Sequence, residues 1–153
     1  MTEEDESDRF LKEQMQLITE TPQRGYYADI VNKTLVASWK SGRENQCCAG
    51  SFQKNAVILT QLIEQKKPKY LVIDCRNLGF EITDEEQRWY IQHNKSFWLG
   101  NKIKKVALIF KSNLSVQIGI EALIDMAMEE GIKPYPFRIF ENIPDALSWV
   151  RNS

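Results

Sequence analysis

The side chain best placed for chemistry stands where the chain leaves an apolar run. Asp74 closes Tyr70-Leu71-Val72-Ile73, a continuous apolar stretch of the kind that forms a strand covered on both faces. Open α/β sheets hold ligands and reacting groups at such carboxyl ends. A carboxylate there can act as a base or a phosphoacceptor, or it can satisfy the amides of the following loop, and the last is the reading taken here. A receiver-type phosphoacceptor needs a neighbouring acidic pair and a lysine after the last strand; Lys133-Pro134 comes before it instead. Cys75 could serve as a phosphatase nucleophile with an arginine at position 81, but Glu81 stands there, so Cys75 reads as a buried small hydrophobe. Cys47 and Cys48 are adjacent and lack the Cys-x-x-Cys spacing of zinc or thioredoxin-like chemistry. His93 is the single histidine, one helical turn from both Trp89 and Phe97, and reads as a packed or surface residue ahead of a general base.

The elements that must position these residues follow from periodicity. After Gly25, Tyr26 to Val31 and Thr34 to Lys40 are rich in β-branched and aromatic types, and a turn at Asn32-Lys33 makes them a hairpin. Between Gly50 and Lys66, Phe52, Ala56, Leu59 and Ile63 share one helix face, and Pro68 follows its end. Thr83 precedes Asp84, Glu85 and Glu86, which predicts a capping box between Thr83 and Glu86 opening a helix to about Leu99. Val106 to Phe110 is a second buried-type strand. The helix opened by Ser115 carries Val116, Ile120, Leu123, Ile124 and Ala127 as one stripe and ends at Gly131. Phe137 to Phe140 gives a last strand and Pro144 to Val150 a last helix. The order β-β-α-β-α-β-α-β-α predicts an α/β domain with a mixed sheet of about five strands, an antiparallel edge and crossover helices. That domain spans 25–153, behind an acidic, partly helical lead-in over 1–24 whose helix ends near Thr21-Pro22.

The loop Lys111-Ser112-Asn113 follows the fourth strand. The topology brings Asn77, Thr83, Ser112 and Asn113 to one polar end, where a helix N-terminus offers free amides to an anion, against the plainer reading of ordinary loop chemistry. The helix after Thr83 also holds Trp89, Tyr90 and Trp98, more aromatic surface than one sheet face needs; core packing and a partner or dimer surface both fit. The glycines form no phosphate-cradling motif.

Composition narrows the function classes. The 153 residues carry 20 Lys and Arg against 21 Asp and Glu, a net charge of −1 that argues against a dedicated nucleic-acid binder. No stretch is apolar for long enough to predict membrane insertion. The acidic start is unlike a signal peptide, and three cysteines make no disulfide framework, so the expected setting is the cytoplasm. One histidine leaves little for general-base or metal chemistry.

The segments Lys69-Tyr70-Leu71-Val72-Ile73-Asp74 and Asn77-Leu78-Gly79, the capped helix from Asp84, and the terminal Phe140-Glu141-Asn142-Ile143-Pro144-Asp145-Ala146-Leu147-Ser148-Trp149-Val150 together resemble the STAS domain family, in particular its divergent SpoIIAA-like group of small bacterial proteins. The resemblance covers about Tyr26 to Arg151. It implies a regulatory module acting through protein contacts. STAS antagonists carry a phosphoacceptor serine in an Asp-Ser-Ser/Thr-Gly segment. Here the corresponding stretch is Ile82-Thr83-Asp84-Glu85-Glu86, without serine or glycine, so a serine switch is not expected. The acidic residues read as helix stabilisation ahead of a mimic of the phosphorylated state.

The expectation is a non-enzymatic regulatory or protein-binding module without cofactor or metal. Its partner is a protein or a second copy, joined through an edge strand or the aromatic helix. The ligand- or partner-binding candidates are Asp74, Asn77, Thr83, Asp84, Glu85, Ser112 and Asn113 with Trp89, Tyr90 and Trp98. The alternative is a carrier of a small apolar or anionic ligand, with an apolar pocket among Phe52, Trp89, Phe97 and Phe137. A hydrolase using Asp74 ranks third.

Overall fold

The computed structural model describes residues 6–40, 49–76, 83–100, 103–110, 114–132 and 136–152. Among these, α1 (Glu6–Gln14) leads into β1 (Gln16–Glu20), β2 (Arg24–Asp29) and β3 (Thr34–Trp39). Then α2 (Ala49–Lys66), β4 (Tyr70–Asp74), α3 (Asp84–Gly100), β5 (Lys105–Ile109), α4 (Leu114–Glu129), β6 (Phe137–Phe140) and α5 (Ile143–Arg151) alternate to the end. One six-stranded sheet runs in the order β1-β2-β3-β4-β5-β6. The first three strands pair antiparallel and β3 to β6 pair parallel, so this is a mixed α/β sheet.

The sheet has six strands where the sequence predicts about five, and the addition is β1. The lead-in helix ends at Gln14, well before Thr21-Pro22, and the chain turns at once into an edge strand. Leu17 and Ile18 are adjacent, so β1 lacks the alternation that marks a strand, and its ladder is bulged between Leu17 and Thr19. Pairing with β2 thus overrides a local pattern that favours neither state. The hairpin differs too: Asp29 pairs with Thr34, leaving a loop from Ile30 to Lys33 in place of a two-residue turn. Asp29 holds that loop by accepting from the Asn32 backbone N–H at 3.2 Å and Asn32 Nδ2 at 2.6 Å, while Lys33 takes φ 52°.

Parallel strands that step in one direction through crossovers of one hand carry the crossover helices on one face. On that face Phe52, Leu59, Leu62 and Ile63 of α2 pack with Tyr26, Leu35, Trp39, Leu71, Cys75 and Leu108, and Tyr90, Ile120 and Ile124 cover the same cluster in part. The opposite face buries Leu11 and Met15 with Ile143, Ala146, Leu147 and Val150 against Tyr27, Val36, Val72, Ala107 and Ile109. The last helix buries Ala146, Leu147 and Val150 as its sequence predicts, and its start is fixed by Asn142, whose Oδ1 accepts from Asp145 N at 2.8 Å. Each large aliphatic side chain buried there contributes about 1.5–3 kcal/mol. The α4 stripe is different, since among its described side chains none is fully buried.

Candidate functional site

Register decides what surrounds Asp74. Ser38 is its partner on β3, and strand alternation puts both on the side of Val36 and Val72, facing α1 and α5. The next residues, Trp39 and Cys75, face α2 and α3. Two layers of side chains therefore meet at the carboxyl end of the parallel strands, one on each face.

In the first layer Asp74 is fully buried. Its Oδ1 accepts from Arg76 Nε at 2.8 Å and from the Arg76 backbone N–H at 3.1 Å. Its Oδ2 accepts from Arg76 Nη2 at 2.7 Å and Ser38 Oγ at 2.9 Å. The guanidinium takes the carboxylate as a two-pronged fork, the strongest form of this ion pair. The loop amide that the sequence assigns to Asp74 is thus present, joined by a side-chain pair that local sequence does not specify. With both oxygens engaged, Asp74 can take a proton from a substrate only if one of these donors leaves.

In the second layer, Arg24 opens β2 opposite Trp39 and is 5% exposed. Its guanidinium carbon lies 4.7 Å from the Trp39 ring centroid and 5.6 Å from that of Tyr26. Beside it, Thr21 Oγ1 donates to Asn55 Oδ1 at 2.9 Å and accepts from the backbone N–H of Gln23 and Arg24. The Tyr26 hydroxyl donates to Asn55, 2.9 Å from Oδ1 and 3.0 Å from its carbonyl oxygen. Burial pushes the Tyr26 phenol above its ordinary range, with Arg24 opposing. Burial likewise pushes the Cys75 thiol up to about 12, again against Arg24, so Cys75 is neutral and packed as its sequence context predicts. Arg24, Thr21, Tyr26 and Asn55 are absent from the sequence candidates. A polar residue that begins a strand carries no mark of facing inward, and Asn55 sits among α2 residues of mixed character.

The Thr83 capping box is present in both directions. Glu86 Oε1 accepts from the Thr83 backbone N–H at 3.0 Å, and Thr83 Oγ1 accepts from the Glu86 N–H at 3.2 Å. Asp84 and Glu85 are exposed in that first turn, where they complement the helix dipole. Trp89 is half-buried and stacks on His93 at 4.9 Å, and His93 Nδ1 donates to the Trp89 carbonyl oxygen at 2.9 Å. Tyr90 packs inward on Phe52, 6.0 Å between centroids. Asn77, Ser112 and Asn113 lie outside the described residues, as does the side chain of Trp98, so of the polar end only Thr83 is placed.

The expected apolar pocket does not bring Phe52 and Phe137 together, and the side chain of Phe97 lies outside the described residues. Phe52 is buried near the carboxyl ends of the strands, whereas Phe137 starts β6 at the opposite end and is 41% exposed. An open groove of about 400 Å³ lies elsewhere, between β1 and α2, lined by Ile18, Thr19, Ile58, Gln61, Leu62, Gln65 and Lys66. Among the described residues no group of His, Cys, Asp and Glu is gathered closely enough to hold a metal ion, and no helix is long and apolar enough to cross a membrane. In comparison with known proteins, the chain matches no family model, no curated protein and no solved structure.

Proposed function

We propose that the protein is a non-enzymatic regulatory or protein-binding module of STAS-like fold, and that it makes contact through the open edge of its sheet at β6. The observation that carries this reading is the apolar surface left uncovered there. Phe137 and Ile139 pair with Val106 and Leu108 on the face of the crossover helices, yet they remain 41% and 36% exposed.

The two edges of the sheet differ in kind. β1 is bulged, and its end is held by an ion pair between Glu20 and Lys40 at 2.7 Å, devices that discourage strand addition. β6 is short, but among the described residues it pairs on its β5 side alone, beside an apolar face, and its one charge, Arg138, lies 5.5 Å from the Phe140 ring. A second copy of the chain, added edge to edge, continues the sheet and covers Phe137 and Ile139.

Light scattering over a range of concentrations tests this. The expected mass is twice the 17.9 kDa of one chain, returning to a single chain in Ile139→Asp. A wild-type mass of one chain at every concentration, with the same protein partners captured by wild type and Ile139→Asp, overturns the assignment of contact to β6.

A further inference from the structure

We propose that the tip of the β2–β3 hairpin and the lysine rim beside it form a docking surface for an anionic lipid bilayer, touched at headgroup level without crossing it. Ile30 and Val31 stand side by side at the tip and are 76% and 90% exposed, the two most exposed large apolar side chains among the described residues. A hairpin loop accepts polar residues, so an adjacent aliphatic pair in it gains nothing from the fold. The loop is also held in one shape. Asp29 accepts from the Asn32 backbone N–H, from Asn32 Nδ2 and from Arg151 Nη2, and the Lys33 N–H donates to the Ile30 carbonyl oxygen at 3.4 Å. The pair is thus presented to a partner with little further ordering to pay.

Register sets the charge beside it. Thr34, Tyr70 and Lys105 are partners across β3, β4 and β5, which places Lys33, Lys69 and Lys104 one residue ahead of them, along the amino end of the parallel strands. Backbone bonds fix the row: the Lys69 N–H donates to the Lys33 carbonyl oxygen at 2.9 Å, and the Lys104 N–H to the Lys69 carbonyl oxygen at 2.7 Å. Neighbouring strands lie about 4.8 Å apart, so three ammonium groups issue from roughly 10 Å of rim. Lys67 follows α2 two residues before Lys69. Among the described residues none of these four lysines is in an ion pair. The other cations of this end are engaged: Arg151 is matched to Asp29 at 2.9 Å, and Lys105 Nζ donates to the carbonyl oxygens of Trp149 and Asn152.

The chemistry of the tip selects the partner. Two aliphatic side chains fall far short of a stable protein interface, which buries about 800 Å² on each partner. A tip without an aromatic ring offers no stacking platform to single-stranded nucleic acid. An anionic bilayer fits both halves, since aliphatic side chains enter the boundary between headgroups and acyl chains while lysines keep their ammonium groups among the phosphates. One such signal gives only weak attachment, so the surface depends on the two together. The chain's net charge is −1, and the attraction is therefore local to this end. The proposal is independent of the β6 contact, which lies three strands beyond β3 at the edge of the sheet.

Cosedimentation of the full chain with vesicles of mixed phosphatidylcholine and phosphatidylserine, against vesicles of phosphatidylcholine alone, tests this. Binding is expected to be about tenfold tighter to the anionic vesicles and to weaken as sodium chloride is raised. The exposed double variants Ile30→Ser, Val31→Ser and Lys69→Glu, Lys104→Glu should each lose about tenfold in affinity. The same charge reversal at the opposite end of the sheet, Lys54→Glu with Arg88→Glu, should bind as wild type does. No binding to the anionic vesicles, equal binding to both compositions, wild-type affinity in the tip variant, or equal loss in the two charge-reversed variants overturns the proposal. Binding to duplex DNA with the vesicles left untouched assigns the lysines to nucleic acid and overturns it as well. The comparison of the two vesicle compositions uses wild type alone and decides the matter even if a variant does not fold.

Discussion

Ser38 and Asp74 face each other on adjacent parallel strands, and the Ser38 hydroxyl donates to Asp74 Oδ2 at 2.9 Å. This bond ties β3 to β4 at the level where Arg76 also returns to the same carboxylate. The three residues form one unit, so removing its centre differs from trimming its rim. Asp74→Ala leaves Arg76 and Ser38 without their acceptor and should cost about 3–5 kcal/mol in urea unfolding. Ser38→Ala removes one of four donors and should cost about 1 kcal/mol. Equal losses in the two variants would refute the hierarchy.

The capping box gives a second measurable difference. Thr83→Ala loses the acceptor for the Glu86 N–H and should lower stability by about 1 kcal/mol. Thr83→Ser keeps the hydroxyl that accepts from the Glu86 N–H and donates to Glu86 Oε1 at 3.1 Å, and should stay within about 0.5 kcal/mol of wild type. Hydrogen exchange at the Glu86 amide should rise in the first variant and not in the second.

Asp29 links the hairpin to the C-terminal helix, accepting from Arg151 Nη2 at 2.9 Å as well as from Asn32. Burial opposes its charge, but the hydrogen bonds from Asn32 and Arg151 outweigh that and hold its carboxyl below the usual carboxylate range. A depressed carboxyl stabilises the fold above its unfolded value, and the contribution disappears as pH falls through the folded value. Asp29→Asn should therefore be less stable than wild type at pH 7, by no more than about 1 kcal/mol for a pair of this exposure. The two unfolding curves should converge toward pH 2, and a gap that persists there would exclude the linkage.

Cys75 should be chemically silent while the protein is folded. In a Cys47→Ser, Cys48→Ser background, an aromatic disulfide reagent at pH 8 should label Cys75 only when denaturant is added, because the thiol is 2% exposed and its pKa is about 12. Cys75→Ser places a hydroxyl in an apolar cluster and should cost about 1–3 kcal/mol. Rapid labelling of the native protein would remove Cys75 from the core.

From Thr34 onward the chain's own pattern determined the course of the fold: β4 and β5 as apolar runs, α2 and α5 as stripes of period 3.6, Thr83 with Glu86 as a helix start, Asp74 at a strand exit. Each of these is local, since side-chain periodicity states which face is apolar and a cap is complete within one turn. Only tertiary structure decided that Gln16–Glu20 is a strand, because its adjacent apolar residues become a ladder only when β2 supplies the hydrogen bonds. Only register decided that Ser38 meets Asp74, and that Arg24, one step along the sheet, lies in a buried layer with Trp39. The incomplete cover over β6 has the same origin, since the α4 stripe is written in the sequence while the surface it leaves open depends on where the crossover sets it down.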